Sequence, residues 1–190
     1  LAVFLVIISL FSPSFVQAKE NPLWIRIDLR ERNLYVMEKN HIQKIYNVTI
    51  GREDAPSPVG IWKIARKAAH WGTGFGTRWM QLSVPWGLYG IHGTNQPHLI
   101  GQEASQGCIR LTNKQVEELY AMIPEGTKVV IDGPMMGFAH WGLKRLQDGD
   151  IGIIVYYVQQ KLKAKKYYKG KVDGRFGPQL KGAVKRFQKD

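Results

Sequence analysis

The chain's single cysteine, Cys108, lies in Ser105-Gln106-Gly107-Cys108-Ile109-Arg110-Leu111, and sixteen residues upstream stands His92 in Ile91-His92-Gly93-Thr94-Asn95. A thiol attacks as its thiolate, and a free pKa of about 8.5 leaves only a few per cent ionised at pH 7. An imidazole within hydrogen-bond reach can hold the thiol as an ion pair or take its proton during attack. Glycines flank both residues. Gly107 would let a substrate carbonyl approach the backbone, and successive amides of the turn could form an oxyanion hole. Arg110 could pair with a substrate carboxylate. The opposing reading is a buried structural cysteine packed beside a histidine, since free cysteine is among the most buried residue types. A zinc site built from His92, His98 and Cys108 lacks a fourth ligand and regular spacing, so no metal is expected.

The rest of the chain must position this pair. Its 190 residues are 44% hydrophobic and 11% aromatic, enough apolar surface for a packed core and too much for disorder. One cysteine excludes an intramolecular disulfide framework. The formal net charge of +12 is unevenly spread: Lys19 to Gly133 holds 14 basic and 11 acidic residues, whereas Pro134 to Asp190 holds 13 and 4. Such asymmetry marks an appended basic module. Leu1 to Phe11 is apolar apart from Ser9, and Ser12-Pro13 precedes Val16-Gln17-Ala18, a small-residue cleavage pattern. Residues 1–18 therefore read as a signal peptide whose basic start is expected upstream, with no stable membrane anchor after cleavage. A basic protein invites a nucleic-acid reading, but a secretion signal and the lack of any recognisable DNA-binding or RNA-binding motif argue against it.

From Lys19 to Gly133 the pattern predicts a mainly β domain, a sheet sandwich or small barrel with one or two helices. Trp24–Asp28 and Asn33–Met37 alternate with period two, and a turn at Lys39-Asn40 precedes a strand from His41 to Ile50. Shorter candidates are Gly60–Ala65, Leu88–His92 and Lys128–Asp132. Val116, Leu119, Tyr120 and Ile123 have helical spacing, with Thr112 and Gln115 placed as a capping box. Asp132-Gly133-Pro134 breaks the pattern and opens a linker over 134–142. From 143 to 190 two amphipathic helices are expected, one through Ile151, Ile154, Val155, Val158 and Leu162, the other through Leu180, Ala183, Val184 and Phe187. The loop Val172–Pro178 joins them, with Pro178 as a first helical residue.

The segments around His92-Gly93-Thr94-Asn95 and Ser105-Gln106-Gly107-Cys108-Ile109-Arg110-Leu111 resemble the signature of the L,D-transpeptidase (YkuD-type) catalytic domain. Pro56-Ser57-Pro58-Val59-Gly60 is also similar to the segment before that family's central strands, and the resemblance covers about Pro22 to Gly133. Many members carry His before the Gly-Cys pair; this chain has Gln106. Beyond the linker, the pattern through Gly152, Val158-Gln159, Val172-Asp173-Gly174 and Phe176-Gly177-Pro178 resembles the small helical peptidoglycan-binding domain, with Leu180 where a small polar residue is usual.

The resemblance implies a cysteine acyltransferase without a cofactor. Cys108 would be the nucleophile, His92 the general base oriented by a backbone carbonyl, and the amides around Gly107 and Cys108 the oxyanion hole. Ser105 would hold the turn, while Arg110, Gly93 and Thr94 would meet the substrate. The donor would be a peptidoglycan stem peptide, cleaved between its third and fourth residues, and the acceptor the side-chain amine of a neighbouring stem. Water as acceptor would make the site an L,D-carboxypeptidase. A wall-directed Cys/His endopeptidase and a non-catalytic wall-binding protein are the alternatives. Peptidoglycan stem peptides, anionic wall polymers and carbapenem-type inhibitors are the expected partners, and a secreted, wall-associated location is expected.

Overall fold

The computed structural model describes residues 22–135 and 145–190. The expected signal peptide, residues 136–142 of the linker and residues 143–144 lie outside the described residues. The first region is built on strands β1 (Leu23–Asp28), β2 (Asn33–Glu38), β3 (His41–Asn47), β4 (Ile50–Gly51), β5 (Gly60–Ala69), β6 (Arg78–Leu82), β7 (Gly90–His92), β8 (Glu103–Ser105), β9 (Ile109–Arg110) and β10 (Lys128–Asp132). One helix, α1 (Asn113–Met122), lies between β9 and β10. The second region holds α2 (Ile153–Ala164) and α3 (Pro178–Lys189). The architecture is a mainly β domain followed by a small helical one.

Eight strands form one sheet in the order β3-β2-β1-β10-β5-β6-β7-β9, and β4 pairs with β8 separately. Lys39 takes a left-handed φ of 53° in the two-residue turn between β2 and β3, the geometry a tight hairpin demands. Most neighbours are antiparallel, but β1–β10 and β7–β9 run parallel. The sheet curls until its two ends meet. Thr49, just after β3, bridges Arg110 of β9 through paired amide–carbonyl bonds of 3.0 Å.

Alternation explains which face is buried. Ile25, Ile27, Leu34, Val36, Val129 and Ile131 point into the core, and Ile91 and Ile109 join them from the far end of the sheet. Helix α1 closes this core with Val116 and Leu119, and Ile123 follows at its C-terminal cap. Burying each such side chain contributes about 1.5–3 kcal/mol. The α1 start is fixed by the expected capping box: Thr112 Oγ1 accepts from the Gln115 amide at 3.3 Å, and Gln115 Oε1 accepts from the Thr112 amide at 3.2 Å.

The structure corrects some of the sequence reading. Strand β6 was not expected, because glycines and turn residues on both sides mask a five-residue run. The strand read as Leu88–His92 begins only at Gly90, and Leu88 is 54% exposed. Ile151 stands outside α2 and is 54% exposed, because Gly152 with φ 136° starts the helix after it. Phe187 packs edge-on against Tyr167 rather than into the core.

Candidate active site

Strand register brings Cys108 and His92 to one surface. Ile91 pairs with Ile109 and His92 with Arg110 across the parallel β7–β9 ladder. Ile91 and Ile109 face the core, so His92 and Arg110 face away from it. Cys108, one residue before β9, falls opposite Gly90 and shares the face of His92, because side chains two apart on a strand point the same way. Gly90 leaves that face open to the indole of Trp79, since a Cβ there would stand 2.6 Å from the ring.

The imidazole is enclosed. His92 is 2% exposed, with Phe75 edge-on at 5.1 Å between ring centroids and Trp79 at 5.6 Å on another side. Trp71 stacks on Trp79 at 5.7 Å. His92 Nδ1 lies 2.5 Å from the Gly93 carbonyl oxygen. A carbonyl can only accept, so Nδ1 carries the proton of the neutral ring and Nε2 keeps its lone pair. Burial lowers the His92 pKa to about 4; bonding to the Gly93 and Phe75 carbonyls opposes this, while the nearby Arg110 charge reinforces it.

Cys108 is half-buried. Burial pushes its thiol pKa up, against a hydrogen bond from the Gly90 backbone and the positive charge of Arg110. Neither group therefore ionises readily near neutrality, and the resting pair is a thiol and a neutral imidazole rather than an ion pair. Among the described residues the thiol makes no hydrogen bond to His92.

The turn that presents Cys108 is locked from within. Ser105 Oγ accepts from the Gly107 amide at 3.0 Å and donates to the Cys108 carbonyl at 2.6 Å. Gly107 has φ 98°, and a Cβ on it would stand 2.7 Å from the Tyr89 ring, so only glycine fits the backbone. The Gly107 amide is thus occupied within the turn and does not face an oxyanion.

The other expected residues divide. Arg110 sits beside both His92 and Cys108 and acts on both electrostatically, and its buried Nε has no hydrogen-bond partner among the described residues. Thr94 and Gly93 are corrections to the substrate-facing expectation. Thr94 is 4% exposed and its hydroxyl accepts from the Gln96 amide at 3.0 Å. Gly93 is packed where a Cβ would meet Asn113 Oδ1 at 2.3 Å. Both support the loop after His92. Gln106 is exposed beside the turn.

Phe75, Tyr89 and Asn113 are not singled out by the sequence, and Trp79 stands out only as one of four tryptophans, with Trp62, Trp71 and Trp86, clustered around Gly72–Gly76, a few of which could line a groove or a lid over the cysteine. Asn113 Oδ1 accepts from the Thr77 amide at 3.2 Å and so ties the loop carrying Phe75 to the start of α1. The tryptophan cluster around Gly72–Gly76 was the available signal, but short glycine-rich loops do not show in sequence which ring they lay on a histidine. Among the described residues no group of three or more His, Cys, Asp or Glu side chains stands where it could hold a metal ion.

The fold and the Cys–His surface define a class, that of the L,D-transpeptidases. The isolated catalytic domain of an Enterococcus faecium L,D-transpeptidase superposes with a TM-score of 0.51 at 22% identity, over 60% of this chain and 100% of that one. The Ldtfm–avibactam carbamoyl enzyme superposes with a TM-score of 0.53 at 24% identity, over 60% of this chain but only 49% of that one. Residues 22–131 match the YkuD family, described as the L,D-transpeptidase catalytic domain, and the chain belongs to that family. The Bacillus licheniformis protein named "Putative L,D-transpeptidase YkuD" is 36% identical over 123 residues, 65% of this chain and 73% of that protein. Residues 153–190 match a peptidoglycan-binding domain family.

Proposed function

We propose that this protein is a secreted, wall-associated enzyme that cross-links peptidoglycan through an acyl-enzyme on Cys108. As a stem peptide binds, Cys108 turns from Gly90 toward Nε2 of His92. The imidazole takes the thiol proton while sulfur attacks the carbonyl between the third and fourth residues. The oxygen's developing charge is met by the Cys108 amide, the Gly107 amide being held by Ser105 Oγ. The C–N bond breaks, the imidazolium gives its proton to the departing amino group, and a thioester remains. A deprotonated acceptor amine then attacks that carbonyl, its surplus proton passing to His92. The C–N bond forms, the C–S bond breaks, and the proton returns to sulfur.

The observation that carries this reading is the placement of Cys108 and a tautomer-fixed His92 on one face of adjacent parallel strands. Arg110 lies where it can meet a substrate carboxylate and so orient the donor. The signal-like leader and the match of residues 153–190 to a peptidoglycan-binding family support the location and the wall substrate. A fold relative forms a carbamoyl enzyme with avibactam, and a carbapenem, an electrophile of another class, is the probe expected to acylate Cys108 here. Incubating the protein with defined muropeptides and weighing the products tests the proposal. Loss of one terminal residue with formation of a cross-linked dimer is expected. Equal activity in Cys108→Ala would refute it.

A further inference from the structure

The helical domain is docked on the sheet domain. Tyr156 of α2 lies 5.7 Å from Trp62 and 5.1 Å from Trp86 between ring centroids, and Ile153 joins it against the sheet-domain core. Gly174 meets Trp86 so closely that a Cβ would stand 2.6 Å from the indole. That loop is held by Gln159, which is fully buried: its Oε1 accepts from the Asp173 and Gly174 amides at 3.0 and 2.7 Å, and its Nε2 donates to Asp173 Oδ1 at 2.9 Å.

Docking leaves a groove of about 500 Å³ between the two domains. One wall is Pro56, Trp86, Tyr89 and Gln106, and the other runs from Gly152 to Val155. It approaches the nucleophile closely, because the Cβ direction of Gly107 points at Tyr89 and at the Pro56 carbonyl, 2.7 and 3.1 Å away. The size suits a short peptide, since small-ligand sites span about 300–1,000 Å³. Its charge runs against the chain's composition. Among the described residues the groove is lined by Asp54 and Asp150 and by no Lys or Arg, in a protein with 27 basic and 15 acidic residues. Asp54 pairs with Arg52 at 2.5 Å, and Asp150 accepts from the Gln147 amide at 2.7 Å.

We propose that the helical domain builds one wall of the active site and that this groove takes the amine-bearing acceptor stem. The proposal rests on the acyl-transfer reading above. A two-substrate reaction needs a second strand beside the thioester, and an ammonium-bearing strand fits a groove whose described lining carries two carboxylates and no basic side chain. On this view the +9 domain does more than hold the enzyme on the wall.

The test uses the full-length protein with a soluble muropeptide donor and a separately varied amine-bearing acceptor stem, with products weighed. Ile153→Lys puts a cation in the groove wall, and Tyr156→Ala removes the docking ring. Each should raise the acceptor KM about tenfold, the effect of about 1.4 kcal/mol, with a smaller change in the donor KM. Ile153→Leu should restore the acceptor KM. Circular dichroism confirms folding of each variant. An unchanged acceptor KM in both Ile153→Lys and Tyr156→Ala overturns the proposal, as does a rise in the donor KM alone. A wild-type protein that trims the donor but never cross-links also overturns it while leaving acylation of Cys108 standing. A wild-type protein that forms no adduct at Cys108 with either a muropeptide or a carbapenem defeats the acyl-transfer reading itself.

Discussion

Acidification should destabilise the protein through His92. The folded state holds this imidazole neutral, with its pKa lowered to about 4 by burial under Phe75 and Trp79 and by the Arg110 charge, whereas the unfolded chain protonates it near about 6.5. Between these values the unfolded state binds more protons, so stability falls as pH falls. The contribution is fully present above about pH 6.5, declines by about 1.4 kcal/mol per pH unit, and has lost about 3 kcal/mol by pH 4. Carboxylates titrate in the same window, so the informative quantity is a difference. Urea unfolding of the wild type and of His92→Phe, followed by tryptophan fluorescence at half-unit steps from pH 7.5 to 4, isolates it. Phenylalanine keeps an aromatic ring between Phe75 and Trp79 and cannot titrate. The wild type should lose about 3 kcal/mol more than the variant across that range. Parallel pH profiles would show that the imidazole is not held neutral by the fold, and the neutral thiol–imidazole pair would fall with it.

The same neutral imidazole predicts that acylation of Cys108 at low substrate rises with pH through a limb near 4, measured by stopped-flow with a carbapenem; a limb near 6.5 would refute it. His92→Ala should slow product formation by at least about a hundredfold, whereas Gln106→Ala, which removes at most one hydrogen bond, should slow it by no more than about tenfold. Equal losses in the two muropeptide assays would give Gln106 a role beyond the groove wall. Ser105→Ala removes both bonds that lock the turn and should lower the unfolding free energy by about 1–3 kcal/mol, read from urea titration. Retention on isolated walls should drop between 0.1 and 1 M salt, because the Debye length shrinks from about 10 to 3 Å.

The elements that sequence could reveal are those in which local pattern and tertiary role agree. Strands β1 and β10 alternate because one face of each is buried, whereas β2 buries Leu34 to Met37 on both faces, and α1 carries both its capping box and its apolar spacing. Cys108 and His92 were legible as a pair because glycines flank both and the chain has one thiol. What stayed hidden depends on partners distant in sequence. Strand β6 is defined by neighbours on both sides, and its Trp79 reads as any core tryptophan until the register sets it against His92. The low imidazole pKa comes from the rings of a loop folded over the site, so an ordinary value near about 6.5 is all a sequence reading supplies. Tyr156 and Ile153 fall outside the apolar spacing expected for α2, and only assembly shows Tyr156 seated on Trp62 and Trp86 with Ile153 against the same core. Thr94 and Gly93 lie beside the base in sequence yet face inward, because the turn after His92 uses their polar and steric properties for itself.

The raised thiol pKa of Cys108 bears on how long the site survives between substrates. Peroxides and disulfides react with thiolates far faster than with thiols, and a sulfur kept protonated resists the first oxidation to a sulfenic acid. Its half-buried position limits their access further. Cys108 is the one cysteine of this sequence, so the sequence offers it no resolving thiol to reverse that damage. In the proposed mechanism, keeping the proton on sulfur until a bound stem brings the carbonyl, the imidazole and the thiol together would confine reactivity to the moment of use, so that one burial would serve both durability and catalysis.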